Sequence, residues 1–168
     1  ALPISNSFEM THTLKQTYNL ILSYAVTQDY IAEVPEQNPE DNTTVFQQQN
    51  VRDLKSARAT LVAPVKISKN WDVSNNVVVM YQEFTNPVNG KIVVNDQVTA
   101  IAQTTHNILL PHNIKMEVGG SYQSPAVFAF YNVDEQWWVD AGLKRSFLDD
   151  KLTLSMNVTD IFRSRMLN

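Results

Sequence analysis

The sequence contains no cysteine, which excludes disulfide frameworks, thiolate nucleophiles and cysteine-based metal sites. It also has no apolar run close to the roughly 20 residues that a transmembrane helix needs. Its first residues, ALPISNSFEM, show no basic segment followed by an apolar one. Any export signal is therefore expected to have been removed or to lie outside this chain.

Charged residues are scarce, at 18% of the 168 residues, where about a quarter is usual in soluble domains. The 13 lysines and arginines are scattered and the formal net charge is −4. Because binding to a phosphate backbone requires a basic stripe or cluster, nucleic acid is not an expected partner. Asparagine, glutamine, serine and threonine are abundant instead, so the wet surfaces are polar but weakly charged. The length predicts a single domain.

Alternation of apolar and polar residues with a period of two recurs along the whole chain, whereas helical periodicity is hard to find. This pattern predicts an all-β fold. Seven strands are predicted within Tyr18–Thr27 (extendable to Val34), Thr44–Ile67, Asn76–Phe84, Val93–Leu110, Ile114–Tyr122, Trp137–Lys144 and Leu152–Thr159. Tyr18, Tyr24 and Tyr81 fall on the apolar faces of their strands. Pro64 removes a ladder donor and is expected near a strand end or at a bulge.

The predicted connections between strands fall into two alternating classes. The short ones are Ser68–Asp72, Pro111–Asn113 and Leu148–Asp150. The longer ones are Pro35–Asn42, Phe84–Lys91 and Ser124–Glu135. Long antiparallel strands in meander order, with short turns at one end and longer loops at the other, are typical of an outer-membrane β-barrel.

Residues that commonly carry catalysis show no catalytic or metal-binding spacing. His12, His106 and His112 are far apart and form no metal-ligand motif, so they are interpreted as two polar strand residues and a turn residue. Asp149 and Asp150 are adjacent, which is ordinary turn chemistry between two strands. No residue is therefore assigned a catalytic, cofactor-binding or metal-binding role, no cofactor is expected, and an enzyme is not predicted.

Two further groups of residues have a structural interpretation. Glu36, Glu40 and Asp41 make an acidic connection, but they lack the residue order and the glycine of a calcium-binding loop. Trp137 and Trp138 are adjacent, so in a strand they must point to opposite faces. In a barrel one ring would join the aromatic girdle and the other would fill the lumen.

Several segments resemble TonB-dependent receptors of the Bacteroidetes outer-membrane β-barrel family. LPISNSFE at Leu2–Glu9 resembles part of the "NPxLxPExSxxxE" stretch that precedes late barrel strands in these receptors, with Ile4 in place of the usual acid. The segments "YNLILSYAVTQDYIAEVPEQ", "LVAPVKISKNWDVSNN" and "WWVDAGLKRSFLDDKLTLSMNVTDIF" carry the resemblance along the chain. It implies location in the outer membrane of a Gram-negative bacterium and energised import of a siderophore, haem, peptide or glycan.

The resemblance also implies what this chain would lack. Seven strands are odd and the family's barrels are about three times larger, whereas bacterial single-chain barrels have even strand numbers. Residues 1–168 are therefore expected to be one partial barrel segment without the plug domain or the TonB contact. The lipid bilayer is the expected partner, and TonB would be reached only through the missing N-terminal part. A fragment with two free sheet edges is expected to self-associate.

Two other functions remain open. A soluble β-sandwich module that binds carbohydrate would use the same alternation, with Trp137 or Trp138 stacking on a sugar. A hydrolase is a more distant alternative. In a receptor, the nutrient is expected to contact three outward loops, within Pro35–Asn42, Asn86–Gly90 and Ser124–Tyr131.

Overall fold

A computed structural model describes residues 2–37, 43–88, 91–128 and 131–164, and every regular element in these ranges is a β-strand. The strands are β1 (Ile4–Leu14), β2 (Tyr18–Gln37), β3 (Thr44–Ser68), β4 (Trp71–Val88), β5 (Lys91–Leu110), β6 (Ile114–Gln123), β7 (Ala126–Phe128), β8 (Tyr131–Val133), β9 (Gln136–Phe147) and β10 (Leu152–Val158). Within the described ranges there is no helix of the length and hydropathy that crossing a membrane requires.

Eight of these strands form one antiparallel sheet in the order β1-β2-β3-β4-β5-β6-β9-β10. The strands β7 and β8 form a small separate hairpin in the connection from β6 to β9. The predicted all-β meander is confirmed. In the described part of the chain β1 and β10 do not pair with each other, so the sheet has two open edges.

The sheet contains one strand more than the sequence predicted. β1 pairs with β2 from Ile4 opposite Gln28 to Leu14 opposite Tyr18. Its apolar face is interrupted by Asn6 and His12, which weakens the period-two signal. The prediction of seven strands was wrong, and the argument from an odd strand number fails with it.

Two of the predicted long connections are shorter than expected. β2 continues through Pro35, which lies opposite Phe46, although a turn was predicted to begin there. The ladder tolerates this proline because β1 pairs with β2 only up to Gln28, so this part of β2 has a neighbour on one side alone. β4 likewise extends to Val88, beyond the predicted loop start at Phe84.

Three connections are confirmed as predicted. The links around Ser68–Asp72, Pro111–Asn113 and Leu148–Asp150 are tight turns. The connection Ser124–Glu135 is longer and contains the β7–β8 hairpin. A further tight turn, at residues 15–17, joins β1 to β2 and was missed together with β1.

Pro64 lies opposite Ser74 of β4, four residues before the end of β3 and just before the register shift between Lys66 and Ser68. The expectation that it lies near a strand end or at a bulge is confirmed. The pairing of β3 with β2 stops at Val62, so Pro64 has no β2 residue opposite it. On that side it occupies the equivalent of an edge position, where a missing N–H costs least.

The turn end of the sheet descends in steps from β1 towards β10. β3 continues beyond its last β2 partner, Val62, as far as Ser68. β5 continues past Ile108, which lies opposite the first residue of β4, and β9 continues past Arg145, which lies opposite the first residue of β6. A stagger that always runs in one direction is the consequence of tilted strands, as in the wall of a barrel.

The sheet is a single layer with almost no interior. Among the described residues, Val73 and Ala126 are the only buried apolar side chains and Thr99 is the only buried polar one. A β-sandwich buries the facing sides of two stacked sheets in a common core. The sandwich alternative is therefore wrong as a fold, since the sheet's apolar face has no protein layer packed against it in the described residues.

The segment after β10 folds back on the free edge of β9. Ile161 N donates to the Val139 carbonyl (2.9 Å) and Asp160 N to Asp140 Oδ1 (2.7 Å). The Phe162 ring lies 5.8 Å from the Trp137 ring, centroid to centroid. The backbone hydrogen bond satisfies the Val139 carbonyl, which lies beyond the point where the pairing of β9 with β10 ends.

Candidate functional site

The register assigns each strand's alternating residues to two chemically different faces of the sheet. On one face, Met10 lies opposite Leu22, and Leu22 lies opposite Ala59. On the other face Ser7 lies opposite Ala25, which lies opposite Ser56. We refer to these as the apolar face and the polar face. The strand Leu152–Val158 fits the same division, with Leu152, Leu154, Met156 and Val158 on the apolar face.

The apolar face forms a band across all eight strands. In β2 the band runs from Tyr18 to Val26, and in β4 it runs from Trp71 to Tyr81. A tilted transmembrane strand needs about 9–11 residues, so both stretches have the required length. With a tilt of about 40° these strands give a band roughly 25 Å tall, which is the height of the lipid-facing belt of outer-membrane barrels.

Aromatic side chains border this band. Tyr18 and Trp71 stand beside the short turns, and Arg145 stacks on the Phe147 ring at 4.4 Å near the last of these turns. At the opposite border, Tyr24 and Tyr81 both lie opposite Ala57 of β3, and Tyr122 lies opposite Trp137. Amphipathic rings at both borders are what the two interfaces of a bilayer select. The tyrosine positions predicted from the sequence are confirmed.

A row of charged residues follows directly beyond the second aromatic border. Lys55, Glu83 and Asp96 lie side by side on β3, β4 and β5. Lys55 Nζ lies 3.2 Å from Glu83 Oε1, and the Tyr81 hydroxyl donates to Glu83 Oε2 at 2.9 Å. The hydrogen bond from Tyr81, together with Lys55, lowers the pKa of Glu83, which lies outside the band. The row therefore marks where the lipid-facing surface ends.

One hydrogen-bonded chain of polar groups interrupts the apolar band. The Trp71 indole N–H donates to His106 Nδ1 (3.1 Å), and His106 Nε2 lies 3.3 Å from Thr104 Oγ1. The Thr104 hydroxyl donates to Asn75 Oδ1 (2.8 Å), and Asn75 Nδ2 donates to the Ala63 carbonyl (3.1 Å). Because Nδ1 accepts, the chain requires the neutral histidine tautomer with its proton on Nε2. Each of these polar side chains therefore has a hydrogen-bond partner within the protein. A polar group that faces lipid needs one, because no water is available there.

The polar face is the concave side of the sheet. A groove of about 820 Å³ extends from β4 across β5, β6 and β9 to β10. It is lined by polar-face residues such as Asp72, Gln103, Ser121 and Asn157. A groove shared by five strands indicates that this part of the sheet curves around the polar face. An apolar convex side and a polar concave side are the arrangement of a barrel wall around an aqueous lumen.

Four strands continue far beyond the charged row on the side away from the short turns. β2 and β3 pair as far as Gln37 opposite Thr44, and β4 and β5 pair as far as Val88 opposite Lys91. The β2–β3 hairpin therefore extends roughly 35 Å past the row along its strands, at about 3.3 Å per residue. Apolar side chains are exposed on these extensions, namely Ile31, Val45, Phe46, Ile92, Val93 and Val94.

The loop residues proposed to contact a nutrient lie only partly in the described part of the chain. Residues 38–42, 89–90 and 129–130 are outside it. Pro35–Gln37 and Asn86–Val88 are strand residues instead of loop residues, and Ser124–Phe128 leads into the β7–β8 hairpin. Ser124 is anchored to β5, since Ala100 N donates to Ser124 Oγ and Ser124 N donates to the Ala100 carbonyl, both at 2.8 Å.

Trp137 and Trp138 point to opposite faces, as predicted. Trp137 lies opposite Tyr122 on the apolar face, and Trp138 lies opposite Ser121 on the polar face. Trp137 therefore belongs to the aromatic border, whereas the Trp138 ring belongs to the concave side.

The remaining candidate residues are dispersed. His12 lies on β1, and His112 lies in the β5–β6 turn with a positive φ of 65°. Asp149 and Asp150 lie in the β9–β10 turn with φ of 54° and 65°, which confirms their assignment as turn residues. Glu36 is a strand residue of β2. Glu40 and Asp41 lie outside the described residues, in which no three histidine or acidic side chains converge on a possible metal position.

Sequence reasoning did not detect the hydrogen-bonded chain or the concave groove. Trp71 and His106 are separated by 35 positions, and only the pairing of Trp71 with Ile108 brings the two rings together. A usable signal was the run of polar residues at apolar-face positions, since Thr104 and His106 interrupt the alternation of β5. It becomes interpretable only after the register is known.

Comparison with known proteins gives one match. The model of the Outer membrane protein beta-barrel family matches residues 3–168, which is nearly the whole chain. No curated protein and no solved structure shows significant similarity to it.

Proposed function

We propose that this chain, which belongs to the outer membrane protein beta-barrel family and is located in the outer membrane, forms part of the wall of a TonB-dependent nutrient receptor. The nutrient class proposed is large, namely a siderophore, haem, a peptide or a glycan. The activity is binding and transport instead of catalysis. The observation that carries the proposal is the eight-stranded curved sheet, with an apolar band outside, a polar concavity inside and long hairpins on one side.

The open edges favour a wide barrel over a small one. A closed eight-stranded barrel would pair its first strand with its last and would fill its interior with side chains. In the described residues β1 and β10 are not neighbours, and on the polar face only Thr99 is buried. Further strands, from the same polypeptide or from other copies, would complete the barrel and would use these edges.

The long hairpins are proposed to face the cell exterior and to contact the nutrient. Outer-membrane barrels have short periplasmic turns and longer extracellular loops. The turns at Lys69–Asn70 and 111–113 are short, whereas β2 and β3 extend well beyond the apolar band. The side chains of Phe46 and Ile92 lie beyond the band, are 50% and 60% exposed, and offer apolar contact area to a ligand.

The orientation can be tested with two epitope insertions in intact cells of a Gram-negative host. An epitope placed between Gln37 and Thr44 should bind antibody on intact cells. The matched insertion between Lys69 and Asn70 should bind antibody only after the outer membrane is permeabilised. Antibody access to the second epitope alone on intact cells would contradict the proposed orientation.

Transport requires a separate test in the source bacterium. Deletion of the gene should abolish growth on one nutrient class when iron, haem, peptide or glycan is limiting, and deletion of the TonB energy coupler should have the same effect. A strain that carries the gene with shortened β2–β3 and β4–β5 hairpins should locate to the outer membrane but lose uptake. Unchanged uptake of all four classes after gene deletion would refute the receptor proposal.

A further inference from the structure

The concave groove contains two lysines in an unfavourable arrangement. Lys115 of β6 lies directly opposite Lys144 of β9, and both side chains are exposed on the polar face. Side chains directly opposite each other on antiparallel strands have Cβ atoms about 4.5–5.5 Å apart, and like charges in this position are destabilising. The pair therefore costs stability unless another group compensates its charge.

Neither lysine has a carboxylate in its own cross-strand row, and neither forms an ion pair within the described residues. The ion pair found among those residues joins Lys55 to Glu83, beyond the apolar band. The neighbours of the two lysines in the same cross-strand row are Leu109 on β5 and Ser155 on β10. None of these neighbours carries a negative charge.

Carboxylates line the same groove but in the next rows. Glu117 lies opposite Gly142, and Asp72 lies on β4 opposite Asn107. Asp140 is engaged elsewhere, because its Oδ1 accepts the backbone N–H of Asp160. Glu117 is thus the acidic neighbour of the two lysines along the strands, but in the described residues it forms no ion pair with either of them. The lysines lie nearest to the short turns, and Lys69 lines the groove at the same end.

The groove also provides the space that a ligand needs. Gly119 places no side chain on its floor, and the groove volume of about 820 Å³ exceeds that of a small anion many times. We propose that Lys115 and Lys144 form a binding site for an oxyanion, a carboxylate or phosphate group, at the turn end of the concave face. The anion would sit between the two ammonium groups and relieve their repulsion, which two charge-assisted contacts can do.

The first test compares the stability of lysine variants with and without anion. Full-length protein in lipid vesicles would be unfolded by denaturant at constant ionic strength, with chloride exchanged for inorganic phosphate. In phosphate-free buffer Lys115→Gln and Lys144→Gln should unfold at a higher denaturant concentration than the wild type, because the repulsion is removed. Phosphate should raise the midpoint of the wild type and leave both variants unchanged.

Two controls separate this site from a general charge effect. Lys151→Gln removes the same charge from the β9–β10 turn and should retain the full phosphate response. Lys115→Arg keeps the charge and should retain the response as well. An equal response to phosphate in the wild type and in Lys115→Gln, or a lower midpoint for Lys115→Gln in phosphate-free buffer, would overturn the proposal.

The source of the oxyanion is distinguished by a second titration. Inorganic phosphate and the side-chain carboxylate of N-acetylglutamate amide would be compared at equal ionic strength. A midpoint shift with phosphate alone assigns the site to a free phosphate group, whereas a shift with the glutamate compound assigns it to a carboxylate such as one on a polypeptide. No shift with either compound would refute the site, while the proposed receptor function would be unaffected.

Discussion

Asn76 and Val77 are consecutive residues of β4 that belong to opposite faces of one sheet. Val77 is 37% exposed and Asn76 is also exposed, so accessible area hardly distinguishes the two faces. The chemistry of each residue row does distinguish them, because one face is bordered by aromatic residues and the other lines a polar groove. In a sheet one layer thick, the solvent that each face meets must therefore be inferred from composition and curvature instead of burial.

The largest effect should come from a charge placed on the apolar face. Val77→Arg is expected to destabilise the protein in lipid vesicles by about 2–4 kcal/mol, which is the range for arginine near the middle of a bilayer. The matched change Asn76→Arg, one residue earlier on the concave face, should change the free energy of unfolding by less than about 0.5 kcal/mol. Denaturant titration of both variants measures the difference.

Equal costs for the two arginine variants would contradict the assignment of the two faces, since both faces would then meet the same solvent. The assignment predicts a smaller cost when arginine is moved from Val77 to a position beside the charged row, such as Tyr81. That decrease would show the depth dependence expected of a bilayer.

A second test uses the hydrogen-bonded chain within the band. Thr104→Val removes the hydroxyl between His106 and Asn75 and leaves Asn75 Oδ1 without its donor. Without water to replace it, this loss should cost about 1–3 kcal/mol. The control Thr105→Val changes the neighbouring residue, which lines the wet groove, and should cost much less. A similar loss in both variants would indicate that water reaches the apolar face.

The glycines of the concave face give a third, smaller contrast. A Cβ on Gly142 would lie 2.6 Å from Asn157 Oδ1, whereas a Cβ on Gly119 would meet its nearest atom, the Thr104 carbonyl oxygen, at 3.8 Å. Gly119→Ala should therefore stabilise the strand by roughly 0.5–1 kcal/mol through lower chain entropy. Gly142→Ala should gain less or lose stability, because the Asn157 side chain must move. The double variant Gly142→Ala, Asn157→Ser should recover the gain, and its failure to do so would contradict this explanation.

Much of the fold could be predicted because alternation is a local property. The assignment of Leu152, Leu154 and Met156 to one face needed only their spacing, and adjacency alone separated Trp137 from Trp138. β1 was missed because Asn6 and His12 break its apolar face. The ends of β2 and β4 were misjudged because Pro35 and Pro87, which are tolerated where the strand has a neighbour on one side only, were interpreted as strand ends.

The candidate sites could not be predicted because they depend on register between distant strands. Lys115 and Lys144 are ordinary alternating lysines until β6 and β9 are aligned, and only then do they form a like-charged pair. Thr104 and Asn75 come together in the same way, from strands 29 positions apart in sequence. A shift of one residue would move either set to the other face, so the sites are consequences of pairing and not of local pattern.

The smallest effect on stability should come from the charged row, which lies beyond the apolar band where the sheet meets water on both faces. The pKa of Glu83 is lowered in the folded protein by its hydrogen bond from Tyr81 and by Lys55, so its ionised form stabilises the fold above the pKa of an unfolded glutamate. This contribution is lost as the pH falls through the lower, folded pKa. Glu83→Gln should therefore unfold slightly more easily than the wild type at pH 7 but equally easily in strong acid, and added salt should narrow the difference at pH 7. A difference that persists unchanged in acid would show that Glu83 acts through packing and that the row is not held together by charge.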